Sequence, residues 1–253
     1  MLRITELRLP LERTEPDALA LRRAITLRLG VADSALRAFS VFRRGYDARK
    51  RNAIQLVYTI DVEVDDEAAL LARQSGASTL RRSPDLHYHF VADARGVARG
   101  SAWQRPLVIG VGPCGLFAAL VLAQMGLAPI VLERGKRVRE RTQDTWDLWR
   151  RRVLDPESNV QFGEGGAGTF SDGKLWSQVS DPRHLSRKVL NEFVKAGAPE
   201  EILFAAKPHI GTFRLVGIVE KMRAEIEALG GDIHFQQRVT DLLIEDGRIR
   251  GVT

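Results

Sequence analysis

The run Gly110-Val111-Gly112-Pro113-Cys114-Gly115 follows an apolar stretch at 107–111 and opens a second apolar stretch at 116–125. A GxGxxG string alone is weak. In this setting it predicts a buried parallel strand, a tight turn and a helix. A further apolar strand, 128–132, leads into Glu133, which lies roughly twenty residues beyond Gly112. Each glycine has its own physical reason: Gly110 permits the turn, Gly112 leaves the main chain bare so that a pyrophosphate can approach, and Gly115 lets helix and strand pack closely. The helix N-terminus offers free N–H groups and the positive end of a dipole to phosphates. Glu133 accepts hydrogen bonds from a ribose 2′- or 3′-hydroxyl, and its charge disfavours a 2′-phosphate. FAD or NAD is therefore expected ahead of NADP. The run predicts an α/β, Rossmann-like FAD/NAD(P)-binding domain over residues 106–253, a parallel sheet with helices on both faces.

Upstream the pattern differs. Residues 4–9 alternate like a strand, and Pro16-Asp17 opens a helix closed by Gly30. Residues 36–46 and 53–64 read as two strands across the polar turn 47–52, and Asp65-Asp66-Glu67 caps a short helix running to about Gln74. This order predicts a small α+β module over 1–91, of ferredoxin-like type. Residues 92–105 read as a linker. The net charge is +6, and nearly all of the excess lies in residues 1–105, where every cation but Lys50 is arginine. Such a face suits phosphates or nucleic acid, or it is a solvated surface. The longest apolar run, 116–125, is too short to span a bilayer, and residues 1–10 alternate charged with apolar residues without an apolar signal core, so secretion is not expected. The single Cys114 excludes a disulfide framework and a paired-cysteine redox centre, and a reducing cytoplasm is the expected compartment. Cys114 reads as a small filler between glycines, His87-x-His89 as a structural or solvated pair, and Trp146 and Trp149 as packing residues.

Residues 107–120 (LVIGVGPCGLFAAL), 130–135 (IVLERG) and above all 158–175 (SNVQFGEGGAGTFSDGKL) resemble the bacterial and plastid FAD-dependent dehydrogenases of largely unassigned reaction, within the glutathione-reductase-like flavoprotein superfamily. Residues 207–212 (KPHIGT), 239–252 (VTDLLIEDGRIRGV) and 46–64 fit the same resemblance. It implies FAD at Gly110, Gly112, Gly115 and Glu133; Pro113 and Val239 are carried as further binding candidates, and Arg134 either reaches the adenosine phosphates or is exposed. It also implies a glycine-dense loop near the flavin; in that loop the free N–H groups of Gly165, Gly166 and Gly168 and the hydroxyls of Thr169 and Ser171 are the binding candidates. NAD(P)H is carried as a candidate electron donor and a small molecule as substrate. That superfamily has a late strand with a Gly-Asp pair against the flavin, which is not found before Thr253. The chain is accordingly read as the N-terminal part of a longer enzyme, and weak flavin retention and poor solubility are expected of this piece.

The residues of the loop support its own reading. Five of the eleven residues 163–173 are glycine, which is entropically costly unless the main chain approaches something closely or takes positive φ. Phe162, Phe170 and Leu175 interleave with them and argue for partial burial. His209, Lys207 and Arg214 are the clustered polar candidates for a substrate-facing role: histidine to move a proton, the cations to hold an acidic group or reduced flavin. No metal-ligand spacing, P-loop or nucleophile elbow is present. The leading expectation is an FAD-dependent oxidoreductase working by hydride transfer. The alternatives are a flavoprotein acting on RNA through the basic first module, where Arg49-Lys50-Arg51 offers a phosphate contact, and a flavin-free NAD-dependent dehydrogenase.

Overall fold

The computed structural model describes residues 1–11, 16–73, 79–97 and 103–253, and divides into two compact units. The first comprises Met1–His87, Leu175–Arg187 and Glu200–Pro208; the second comprises Tyr88–Lys174, Lys188–Pro199 and His209–Thr253. The chain is of mixed α/β type. The expected linker 92–105 does not separate the units. Ala94 N–H donates to Met125 O at 2.8 Å within the second unit, and residues 98–102 lie outside the described residues, as does the expected helix end at Gln74.

In the first unit, β1 (Leu2–Pro10), α1 (Ala18–Leu29), β2 (Leu36–Asp47), β3 (Gln55–Val64), α2 (Glu67–Arg73) and β4 (Leu80–Arg82) form an antiparallel sheet in the order β2-β3-β1-β4. The helix signals act locally. The Asp17 carboxylate accepts the Ala20 N–H at 2.7 Å, Gly30 closes α1 at φ 65°, and Asp66 accepts the Ala69 N–H. Period-two alternation sends Leu2, Ile4, Leu56, Tyr58, Ile60 and Val62 into one core with Leu21, Ile25 and Leu29 of α1. The residues of opposite phase carry a buried ion pair. Arg3 donates twice to Asp61, at 2.7 and 2.8 Å, and Ser83 Oγ donates to the same carboxylate. The Arg3 guanidinium also lies 3.6 Å from the Phe42 ring centroid, with Arg187 4.5 Å from that centroid. The late segments complete this unit: Arg44 N–H donates to Phe204 O at 2.7 Å and Ala206 N–H to Arg44 O at 2.9 Å, which continues the pairing beyond the edge strand β2.

In the second unit, β5 (Leu107–Ile109), β6 (Ile130–Glu133) and β7 (Asp232–Phe235) make a parallel sheet in that order. The helices are α3 (Pro113–Gln124), α4 (Val138–Arg151), α5 (Leu185–Lys195), whose first turn groups with the first unit, and α6 (Thr212–Ala228). β8 (Leu242–Glu245) and β9 (Arg248–Val252) form a separate hairpin. Its turn residues Asp246 and Gly247 both have positive φ, as the Asp-Gly dipeptide predicts. β8 begins only at Leu242. Thr240 N–H and Asp241 N–H turn to Thr253 O, so pairing with β9 begins at Leu242. No helix among the described residues is long and apolar enough to cross a membrane.

Candidate functional site

β5 ends at Ile109 because Gly110, at φ 88°, turns the chain and donates its N–H to Leu132 O at 2.7 Å. Gly112 caps α3, and Pro113 occupies the first turn, where its missing N–H costs nothing. A Cβ at Gly115 would come 2.0 Å from Gly110 O, so helix and turn are in direct contact there. A Cβ at Gly112 would meet nothing within 4 Å. Gly112 instead faces a cavity of about 320 Å³ lined by Ile109, Gly110, Gly112, Leu132, Glu133, Arg134, Gln161, Phe162, Gly163, Gly166, Gln237, Arg238 and Val239.

Glu133 is buried at the end of β6. One carboxylate oxygen accepts the Val111 N–H at 2.7 Å and the other accepts the Gly135 N–H at 2.8 Å. A carboxylate has about four acceptor sites, so half of this one's capacity remains. Arg134 lies over the Phe162 ring at 3.8 Å and donates to Glu157 at 2.7 Å; Glu157 also takes Arg238 at 2.9 Å. The two guanidiniums hold the Glu157 carboxyl below its ordinary range.

The glycine-dense loop packs against the turn at the head of α3. Gly165 N–H donates to Val111 O at 2.8 Å, and a Cβ at Gly166 would come 2.9 Å from Pro113 Cδ. Phe162, Phe170 and Leu175 are half-buried, as their interleaving with glycine predicts. Thr169 is buried, and its hydroxyl has no hydrogen-bond partner. Ser171 is exposed; its hydroxyl donates to Gly168 O and accepts the Gly173 N–H. Of the residues assigned to a cofactor from sequence, Gly110, Gly112, Glu133, Arg134, Gly166 and Val239 line the cavity. Pro113, Gly115, Gly165, Gly168, Thr169 and Ser171 lie outside its lining.

His209 pairs by main chain with Lys174 in an isolated antiparallel bridge, and Gly211 N–H donates to Asp172 O, so 209–211 is tied to the end of the glycine-dense loop. Lys207 belongs to the first unit, with its ammonium 5.3 Å from the Trp176 ring centroid. Both side chains are exposed, and neither lines the cavity. Cys114 is exposed rather than packed between its glycines. Trp146 and Trp149 are also exposed, because α4 buries the stripe Val138, Arg141, Thr145 and carries both tryptophans off it. Part of the first unit's positive charge is neutralised by ion pairs. Arg8, Arg22, Arg37, Arg44 and Arg49 each pair with a carboxylate, and Arg49 and Arg8 hold Asp47 far below the usual carboxylate range. Among the described residues no group of His, Cys, Asp and Glu is placed to hold a metal ion.

Sequence reasoning missed Arg141, Glu164 and Arg223. Glu164 is fully buried; it accepts the Val138 N–H at 2.7 Å and pairs with Arg223 at 2.8 Å, and burial raises its pKa. Arg141 is equally buried and hydrogen-bonds to the main chain of the loop. The available signal was a lone arginine between Val138 and Thr145 on the buried stripe of α4.

A family model described as a domain of unknown function (DUF8436) matches residues 1–63. The chain is 37% identical over 253 residues to an uncharacterized protein of Clostridium beijerinckii, covering 99% of this chain and 45% of that protein. The chain thus spans about half the length of the curated relative it matches.

Proposed function

We propose that the second unit is a Rossmann-like dinucleotide-binding domain and that the chain belongs to an FAD-dependent oxidoreductase acting on a small molecule. The observation that carries this reading is the bare Gly112 at the head of α3, open to a cavity that the buried Glu133 also lines. The parallel order β5-β6-β7, with α3 following β5, supports it. The β-α-β-β-α-β order of the first unit, with sheet order β2-β3-β1-β4, supports the ferredoxin-like expectation.

The residues present fit an adenine dinucleotide. A Cβ at Gly112 would occupy the space a diphosphate needs, and the amides of Cys114 and Gly115 have no acceptor within the helix. Glu133 retains acceptor capacity for ribose hydroxyls. Small-molecule pockets span about 300–1,000 Å³. This cavity lies at the low end of that range, a fit for part of a dinucleotide, and the reading assigns it to the adenosine-diphosphate half. Arg134, Gln161, Arg238 and Val239 enclose that half. Bound FAD supplies hydride transfer at its ring system. The protein holds and orients it through Gly112, Glu133 and the glycine-dense loop. His209, tied by main chain to that loop, is the residue assigned to move a proton.

Titration of the full chain with FAD, followed by flavin fluorescence and the visible spectrum, tests the reading. Saturable binding competed by ADP is expected. A chain that acquires no flavin yet binds NAD sinks the FAD assignment in favour of a nicotinamide-only enzyme.

A further inference from the structure

A buried guanidinium normally needs a carboxylate beside it. Arg141 on α4 makes no ion pair; the charges of Glu133 and Glu164 act on it only from further off. It is wholly buried, and burial draws its pKa down to about 10. Its donors go to the main chain of one loop: Nε to Asn159 O at 2.7 Å, Nη2 to Val160 O at 2.6 Å, and Nη1 to Glu164 O at 2.7 Å and Gly166 O at 2.9 Å. The peptide bonds of this loop are trans, so each carbonyl turned toward Arg141 turns the following amide the other way. One of those amides, Gly165 N–H, bonds Val111 O in the turn after β5.

The same loop forms part of the cavity wall. Gly163 and Gly166 line the cavity. A Cβ at Gly163 would come 2.4 Å from Arg141 Cδ, and one at Gly166 would come 2.9 Å from Pro113 Cδ and 3.3 Å from Gly112 Cα. The guanidinium therefore lies one backbone layer behind the wall, and that wall rests on the glycine turn.

We propose that Arg141 is a positioning residue of the dinucleotide site: its planar fork sets the 159–166 main chain against the Gly112 turn and thereby fixes the phosphate end of the cavity. This rests on the dinucleotide reading above. Lysine cannot replace the fork, because one ammonium on a flexible stem does not reach four carbonyls arranged around a plane.

The test is calorimetric titration of the full chain, as wild type, Arg141→Lys and Gly166→Ala, with ADP and separately with adenosine. Arg141→Lys is expected to weaken ADP about tenfold or more, while adenosine stays within about twofold. General loosening of the fold does not move the ratio of the two. Should Arg141→Lys fail to fold by far-UV circular dichroism, Gly166→Ala carries the test. Its methyl pushes the wall off Pro113 without touching Arg141, and the same loss confined to ADP is expected. Wild type that binds ADP, with variants that lose both ligands in proportion or neither, overturns the role of Arg141 and leaves the dinucleotide reading standing. Wild type that binds neither ADP nor FAD overturns both.

Discussion

A methyl group added at Gly112 meets nothing within 4 Å, and its φ of −71° suits any L-residue. At Gly115 the same methyl strikes Gly110 O. The two substitutions should therefore separate binding from folding. Gly112→Ala is expected to leave stability within about 0.5 kcal/mol and to weaken ADP and FAD. Gly115→Ala is expected to cost about 1–3 kcal/mol through overpacking. Urea melts read beside nucleotide titrations check both. In the first unit, Arg3→Met strands the buried Asp61 carboxylate without its partner. A loss of about 3–5 kcal/mol is expected in urea melts, and a loss below about 1 kcal/mol counts against a buried pair. The glycine turn and Glu133 were legible in the sequence because their chemistry is contiguous or lies at a fixed offset. Arg141 and Glu164 were not. Their partners lie 18 and 59 residues away for Asn159 O and Arg223 Nη1, and nothing local marks those meetings.

Two ion pairs of opposite electrostatic sense reach α6, one from α4 and one from the glycine-dense loop. Arg139 bonds Glu220 twice at 2.7 Å near the surface and holds its carboxyl below the ordinary range, whereas burial raises Glu164 beside Arg223. Folded-state values below the unfolded ones, as for Glu220 and Glu157, give stability that is complete above the ordinary carboxylate range and drains as pH falls through the folded values. Glu164 runs the other way: what it contributes is present below its unfolded value and is lost as pH rises through the raised one. Urea midpoints from about pH 6 to about pH 3 should therefore fall for wild type and fall less for Glu220→Gln. An equal or steeper fall in the variant refutes the assignment. Most elements were legible because their caps are local, as at Asp17, Gly30 and Asp246-Gly247. β4 was missed. Three residues carry no periodicity, and Leu2 pairs with Arg82 only once the chain has closed. The Asp181 carboxylate caps the Leu185 and Ser186 amides, which sets the start of α5 four residues beyond it.

Across the whole molecule, the net charge of +6 overstates what the first unit offers to an acidic partner, because Arg8, Arg22, Arg37, Arg44 and Arg49 are engaged with carboxylates. A tRNA filter-binding titration is expected to show only weak affinity at low salt, with a shallow salt slope; tight binding revives the RNA alternative. The β8–β9 hairpin exposes Leu242, Leu243, Ile244 and Ile249, an apolar surface of the kind that drives association. Ile244→Lys is expected to reduce self-association in light scattering without shifting the melt. The first unit has one further property. β2 reaches its main-chain neighbours at Phe204 and Ala206 only after most of the second unit has been made. At about 5–20 residues per second of synthesis, the edge of β2 leaves the ribosome on the order of ten seconds before the strip that shields it. In the living cell this small sheet begins life with one flank raw, and a chaperone that shelters nascent edges has its longest opportunity there.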